Sequence, residues 1–283
     1  LKQKFGRTYE IQIKNPQGEL ITIKPPFSIH FDLTRNTLAS TNSCTLIIYN
    51  LAEKTRNRIF KDRYTTFEYW QMIIRAGYGR LCTVFQGNIY ESKSWKEGTE
   101  WITHIDAYDG MYAIQNGHVA MSVSAGTQKT EVLNGIIGSF PGIIKGFIGS
   151  PGQGTTERAQ AILGPSVEVM AEQVDSQYFF DNETINILSD DEVISGPVLV
   201  LDSNQLFSTP KIRETFFDCD TLFFPEARVG LITEIHSRER KFDGQYKTLG
   251  FSHSVDILSS SGGEARTSWQ LYKGEAALQE VPS

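Results

Sequence analysis

Phe27-Ser28-Ile29-His30-Phe31-Asp32-Leu33 carries an apolar side chain at every second position. Successive side chains of a β-strand point to opposite faces, so this stretch sets Phe27, Ile29, Phe31 and Leu33 against a core and turns His30 and Asp32 away from it. Upstream, Tyr9–Lys14 and Leu20–Lys24 flank Asn15-Pro16-Gln17-Gly18. Pro at the second turn position and Gly at the fourth fit a type I turn, which makes this a hairpin. Downstream, Thr45–Tyr49 is a further strand, and Asn50-Leu51-Ala52-Glu53 reads as a helix start. Asn50 is the expected cap, Glu53 reaches back to it, and Leu51, Thr55 and Ile59 share one helical face. Strands over Gln71–Tyr78, Cys82–Tyr90 and Glu100–Tyr108 complete a strand-rich first third.

The middle changes character. Val132, Leu133, Ile136, Ile137 and Phe140 recur at helical spacing after Thr127, and Pro141-Gly142 ends that helix. The Gly-rich loop 149–156 follows and is expected to be mobile. Ser166 is the expected cap of a second helix, and Tyr178–Phe180 with Thr184–Leu188 form a hairpin around Asp181-Asn182. Strands then return over Val198–Leu201, Lys211–Phe217, Leu231–His236, Tyr246–Ser254 and Arg266–Tyr272, and the tail after Lys273 is expected to fray. A chain of 283 residues with 40% hydrophobic and 21% charged residues is long enough for two or three cores and excludes wholesale disorder. Its 17 Phe and 11 Tyr favour strands. The fold class read from this order is mainly β with a small α+β insert.

Charge is unevenly spread: net +4 over 1–120, −7 over 121–196 and −3 over 197–283. No stripe of Lys and Arg suited to gripping phosphates is present, and the acidic middle argues against close nucleic-acid contact. Cys44, Cys82 and Cys219 are far apart and odd in number, which suggests neither a disulfide framework nor a thiolate metal site. The segment LKQKFGRTYEIQIK has no apolar run behind its lysines and does not read as a secretory signal. Gly135 to Gly149, the most apolar stretch, is broken by Pro141 and Lys145 and is too short to span a bilayer, so no membrane partner is expected.

No constellation of catalytic residues emerges. The Gly-rich loop 149–156 lacks the Lys and Ser/Thr that a phosphate loop sets after its last glycine. Asp181 with Glu183, and Asp190-Asp191-Glu192, lack the alternation and turn glycine of a calcium loop and read as solvated charges. His30, His104, His118, His236 and His253 never stand at the i, i+4 spacing of a helix-borne zinc pair. Ser252-His253-Ser254-Val255-Asp256 holds nucleophile, base and acid together, but neighbours on one strand point to opposite faces and cannot converge. The reading is therefore no enzyme, with no catalytic residue, cofactor or metal site.

Taken in order, several motifs resemble the baseplate hub proteins of contractile-tailed bacteriophages. They include Phe31-Asp32-Leu33-Thr34-Arg35-Asn36, Asn42, Ile47-Ile48-Tyr49-Asn50-Leu51 and Thr55-Arg56-Asn57. Ile74-Arg75-Ala76-Gly77-Tyr78, Val84-Phe85-Gln86-Gly87-Asn88-Ile89 and Trp101–Gly110 continue the match. Phe223-Phe224-Pro225-Glu226, Val229-Gly230, Gly244-Gln245-Tyr246-Lys247 and Gly250–Asp256 close it, so that the likeness runs from residue 7 to residue 272. Phe223-Phe224 departs from the family's usual Leu-Asn, and the loop 149–156 is a further departure.

The resemblance implies two β-barrel tube domains; the strand-rich, helix-containing, strand-rich order and the composition shift at Gly126 set them at 1–124 and 186–272, with an α+β module inserted at 125–185, and the small, polar tail at 273–283 reads as flexible. The resemblance also implies a homotrimeric ring of six barrels that joins the tail tube to the central spike. Partners would be tube or tube-initiator proteins, the spike and other baseplate proteins, with genomic DNA present only in transit. The location would be the virion's tail baseplate, after assembly in the host cytoplasm. The competing readings are a tail-associated cell-wall hydrolase and a receptor- or carbohydrate-binding module. If DNA passes through such a ring, the wall is neutral or acidic, because one lined with Lys and Arg would condense on phosphates. His30, Asp32, His104 and Asp106, spaced two apart on their strands, are the candidates for that wall; the other reading sets them in solvent outside the ring, and periodicity does not decide between the two faces.

Overall fold

The computed structural model describes residues 6–38, 41–65, 67–207, 210–213, 216–259, 263–274 and 277–281. The first five residues, which open the segment LKQKFGRTYEIQIK, lie outside the described residues. The first part of the chain gives β1 (Arg7–Lys14), β2 (Leu20–Ile23), β3 (Ile29–Asn36), β4 (Ser43–Tyr49), α1 (Glu53–Ile59), β5 (Gln71–Tyr78), β6 (Cys82–Glu97) and β7 (Glu100–Tyr108). The middle gives α2 (Met111–Asn116), β8 (His118–Val123), α3 (Lys129–Ile137), β9 (Ile144–Ile148), β10 (Gln160–Pro165), α4 (Ser166–Val174), β11 (Tyr178–Phe180) and β12 (Thr184–Ile187). The last part gives β13 (Glu192–Ile194), β14 (Leu199–Asp202), β15 (Lys211–Arg213), β16 (Phe216–Leu222), β17 (Ile232–His236), β18 (Gly244–Ile257), β19 (Ala265–Tyr272) and β20 (Gln279–Val281). The class is mainly β, as the alternation of β3 implies.

A single sheet holds the first and last parts together. Its strand path runs β15-β16-β19-β18-β3-β4-β7-β6-β5-β1-β2, with β14 and β17 attached through β18. The path is open at β15 and β2 and does not close into separate barrels among the described residues. The reason is β18, whose 14 residues serve both halves: it pairs with β17 and β19 and also with β3. Gly250 marks the irregular step in the β18–β19 register, and a Cβ there would lie 2.9 Å from the backbone oxygen of Arg35.

Three cores form. The first packs Ile11, Ile29, Phe31, Leu46, Ile74 and Phe85, together with Val255 and Ile257 from the far end of β18. The second packs Leu201, Phe217, Val229, Ile235, Trp269 and Leu271. The third belongs to the middle, where α3 and α4 cover the β8–β10 pair and the β9–β12–β11 sheet, with Ile136, Met170 and Ile185 buried. Each such side chain contributes about 1.5–3 kcal/mol when fully buried.

Local structure adds detail to the expectations and corrects some of them. His118–Val123 pairs with Gln160–Pro165, and Ala113, Val119 and Val123 enter the third core, so that core draws on chain ahead of residue 125. The chain leaves the first sheet after Tyr108, where Gly110 takes φ +68 and starts α2. Asn50 does not cap α1; its side-chain oxygen accepts the Trp101 N–H at 3.0 Å, and the helix starts after Ala52. Ser166 opens α4 as a helical residue, and its hydroxyl lies 2.6 Å from that of Ser139. The strand expected over Lys211–Phe217 is two antiparallel strands, with residues 214–215 between them outside the described residues. The tail does not fray throughout: Gln279–Val281 pairs in parallel with Glu192–Ile194 and buries Val281. Residues 275–276 and 282–283 of that tail lie outside the described residues.

Candidate functional site

The outward face of the long sheet is the candidate surface. One rank of register neighbours reads Asp220, Ser268, Ser252, Thr34, Ser43 and Tyr108 across β16, β19, β18, β3, β4 and β7. The next reads Arg266, Ser254, Asp32, Thr45, Asp106 and Glu91, from β19 to β6. A third reads Asp256, His30, Ile47, His104 and Lys93. Hydroxyls and carboxylates dominate this face, and Arg266 and Lys93 are the Arg and Lys of these ranks. Beneath it, the opposite side chains of the same strands fill both the first and the second core. His30, Asp32, His104 and Asp106 therefore share one surface with Asp220 and Asp256 from the last part of the chain.

The carboxylates are tied down within the sheet. Asp32 Oδ2 and Asp256 Oδ1 lie 2.9 and 3.0 Å from the two ring nitrogens of His30. Burial favours the neutral ring, but the hydrogen bonds and charges of Asp32 and Asp256 outweigh it and hold His30 above the ordinary imidazole value. Asp106 accepts from the Thr45 hydroxyl at 2.9 Å, with His104 Nδ1 at 3.6 Å. Asp220 accepts from Ser268 at 2.5 Å, and Glu91 pairs with Lys93 at 2.8 Å. These short links fix rotamers, so the face presents its charge in a set pattern.

Ser252, Ser254 and Asp256 belong to this face, whereas His253 and Val255 point inward. His253 is buried, its Nδ1 2.9 Å from the Thr267 hydroxyl, and burial, helped by the charge of Arg35, pushes it down to about 3. The strand thus separates the elements of the apparent triad. His118 and His236 are exposed and lie elsewhere. Cys44 and Cys219 are buried, which raises their thiol values, and Cys82 is half-buried.

Of the carboxylates read as solvated, Asp181, Glu183 and Glu192 are instead buried, while Asp190 is exposed and Asp191 half-buried. The turn Asp181–Glu183 inserts under the sheet with Asn182 and Glu183 at φ +55 and +59. Arg35 pairs with Asp181 and donates to the Val84 oxygen at 2.9 Å. Asp109 accepts the N–H groups of Asn182 and Glu183 at 2.6 and 2.7 Å. Burial still lifts Asp109 to about 7, against the lowering effect of Arg35 and these amides. Glu183 is satisfied by Tyr69, Asn88, Gln71 and Gln86 at 2.6–3.0 Å. This knot locks the middle module to the sheet. Sequence alternation did carry one signal of it, since Arg35 stands in the inward phase of Phe31 and Leu33.

Glu192 is buried too, and accepts the N–H groups of Ser150 and Ser189, each at 2.8 Å. Those amides outweigh burial, which alone would raise it, and lower its value. The same clamp pins the start of the Gly-rich loop, whose end is tied by Thr155 to Gln128 and by the Lys129 N–H to the Gly154 oxygen at 2.9 Å. The loop expected to be mobile is hydrogen-bonded at both ends. Lys247 donates to the Ser189 and Asp190 oxygens at 2.8 and 2.9 Å, and burial brings it down to about 8. Among the described residues no group of three or more His, Cys, Asp or Glu could hold a metal ion.

A fold like this one, a β sheet spanning two cores with a helical module set into it, is found in solved phage tail proteins and a secretion component. A 43 kDa tail protein of the MuSo2 prophage from Shewanella oneidensis superposes with a TM-score of 0.61 at 9% identity, covering 96% of this chain and 100% of that one. A tail protein from Neisseria meningitidis gives 0.58 at 11% identity, with 93% and 96% covered. An Escherichia coli type VI secretion component, described as structurally similar to bacteriophage T4 tail proteins, gives 0.60 at 8% identity, with 96% and 79% covered. No family model matches the chain, and no curated protein matches it in sequence. At these identities the likeness is one of fold.

Proposed function

We propose that the chain is a non-enzymatic structural subunit of a phage-type tail, set in the baseplate hub between tail tube and central spike. The observation that carries this reading is the polar face, continuous over both cores and rich in hydroxyls and carboxylates. In this reading three copies form a ring, and the two halves of each act as barrel-like tube domains, near 1–124 and 186–272. The module near 125–185 stands outside. Six such halves would match a six-fold tube on one side and a three-fold spike on the other. The polar faces line a channel through which genomic DNA passes, since carboxylates repel phosphates and hydroxyls do not hold them. Likeness to a type VI secretion component supports a spike-type partner. The place of action is then the baseplate of a contractile virion tail, assembled in the host cytoplasm.

Native mass spectrometry of the 31.8 kDa chain, alone and with tube and spike proteins, tests the assembly. A trimer is expected in at least the mixed sample, and a monomer in every sample would refute the ring. A zymogram on purified cell wall tests the non-enzymatic part, with no clearing expected and clearing counting for a hydrolase.

A further inference from the structure

The β3–β18 pairing joins the two halves of the sheet: β4, β7, β6, β5, β1 and β2 follow on one side, β19, β16 and β15 on the other. His30 sits on that join. Its Nε2 lies 2.9 Å from Asp32 Oδ2 on its own strand, and its Nδ1 lies 3.0 Å from Asp256 Oδ1 across the join. A neutral imidazole has one N–H and one lone pair, so either tautomer would set its lone pair against a carboxylate oxygen. Only the imidazolium donates to both. The geometry therefore selects a charged ring.

Among the described residues, the other groups around it leave that choice to the two aspartates. Asp256 Oδ2 already accepts the Glu264 N–H at 2.8 Å. The Glu264 carboxylate takes the Ser254 hydroxyl and Arg266 Nε, both at 3.2 Å, and the Arg7 guanidinium reaches only the Glu264 backbone oxygen at 3.5 Å. On β4 the register neighbours are Ile47 and Thr45, neither of which titrates near neutrality, and on β7 His104 and Asp106 lie beside each other, with Asp106 bound to Thr45.

We infer that His30 is a proton-held clasp across the join of the two half-sheets, closed while its ring is charged and released when the ring loses its proton. The sign follows from the direction in which its surroundings move it, which is upward. The clasp contributes fully below the ordinary imidazole value of about 6.5, and its contribution is lost as pH rises through the higher folded value. This goes beyond the proposed tail role and holds whether or not the face lines a channel.

The test combines an NMR titration of the His30 ring with hydrogen exchange of the β3 and β18 amides between pH 6 and 9, corrected for the intrinsic rate. His30 is expected to titrate above about 6.5, and Asp256→Asn is expected to bring that midpoint down. Protection across the join is expected to fall through the wild-type titration, because the closed clasp binds its proton more tightly than the open one, and to stay level in His30→Gln. A midpoint at or below the ordinary value, no response to Asp256→Asn, or a wild-type profile as level as that of His30→Gln overturns the inference. The wild-type titration decides the matter even where a variant does not fold.

Discussion

Replacing Arg35 with Met removes a guanidinium that is 2% exposed and leaves Asp181, 7% exposed, without its nearest cation. Stranding one partner of a buried pair costs about 3–5 kcal/mol. The Val84 oxygen also loses a charged donor at 2.9 Å. Against this, Arg228 stands 3.5 Å from Asp181 and, being half exposed, can move closer. The balance lies near the low end, at about 3 kcal/mol. That is a large share of the roughly 5–15 kcal/mol by which domains are stable, yet leaves a folded protein to measure. Urea unfolding at pH 7, followed by tryptophan fluorescence, reads the loss. In Arg35→Met with Asp181→Asn the stranded charge is gone, and the double variant is expected to lose clearly less than the sum of the single losses. A loss under about 1 kcal/mol for Arg35→Met, or strict additivity in the double variant, would refute the claim that this pair locks the module to the sheet.

Three further outcomes are expected. Asp109 titrates near 7 when folded and about 3.9 when unfolded, so its contribution to stability is full below about pH 4 and is lost as pH rises towards 7. Asp109→Asn should remove that decline, which urea midpoints at pH 4, 5.5 and 7 would show. Gly149→Ala puts a Cβ 2.1 Å from Glu192 Oε2 and should cost about 1–3 kcal/mol. Gly154→Ala, with open space around it but φ +94, should cost only about 1 kcal/mol, and thermal unfolding of the two variants checks the order. Asp32→Lys combined with Asp106→Lys reverses the charge of the polar face, and should raise the assembled protein's salt-sensitive affinity for duplex DNA in a filter-binding assay.

Local periodicity made part of this architecture legible. The alternation in Phe27–Leu33 and in Gly250–Asp256 is enough to say which side chains face the core, because burial of one strand face is a near-neighbour property. What lay outside reach depends on distant chain. Asp181 and Glu183 sit in a turn that looks solvated until Arg35, Asp109 and Asn88 close over it from positions at least 70 residues away. Glu192 is hidden in the same way, since its amide partner at Ser150 belongs to another element. Asn50 offered a cap that the backbone did not use, because the Trp101 N–H competed for its oxygen. The four polar residues His30, Asp32, His104 and Asp106 were readable as outward-facing, but their union with Asp220 and Asp256 required the β3–β18 pairing.

In the proposed assembly this polar face lines the channel of a ring. An electron-microscopic reconstruction of the assembled oligomer, read for the residues that border its lumen, tests it most directly. Three copies with Asp32, Asp106, Asp220 and Asp256 turned towards the axis are expected. A lumen bordered chiefly by Lys and Arg, or a ring with this face on its outside, would contradict the account.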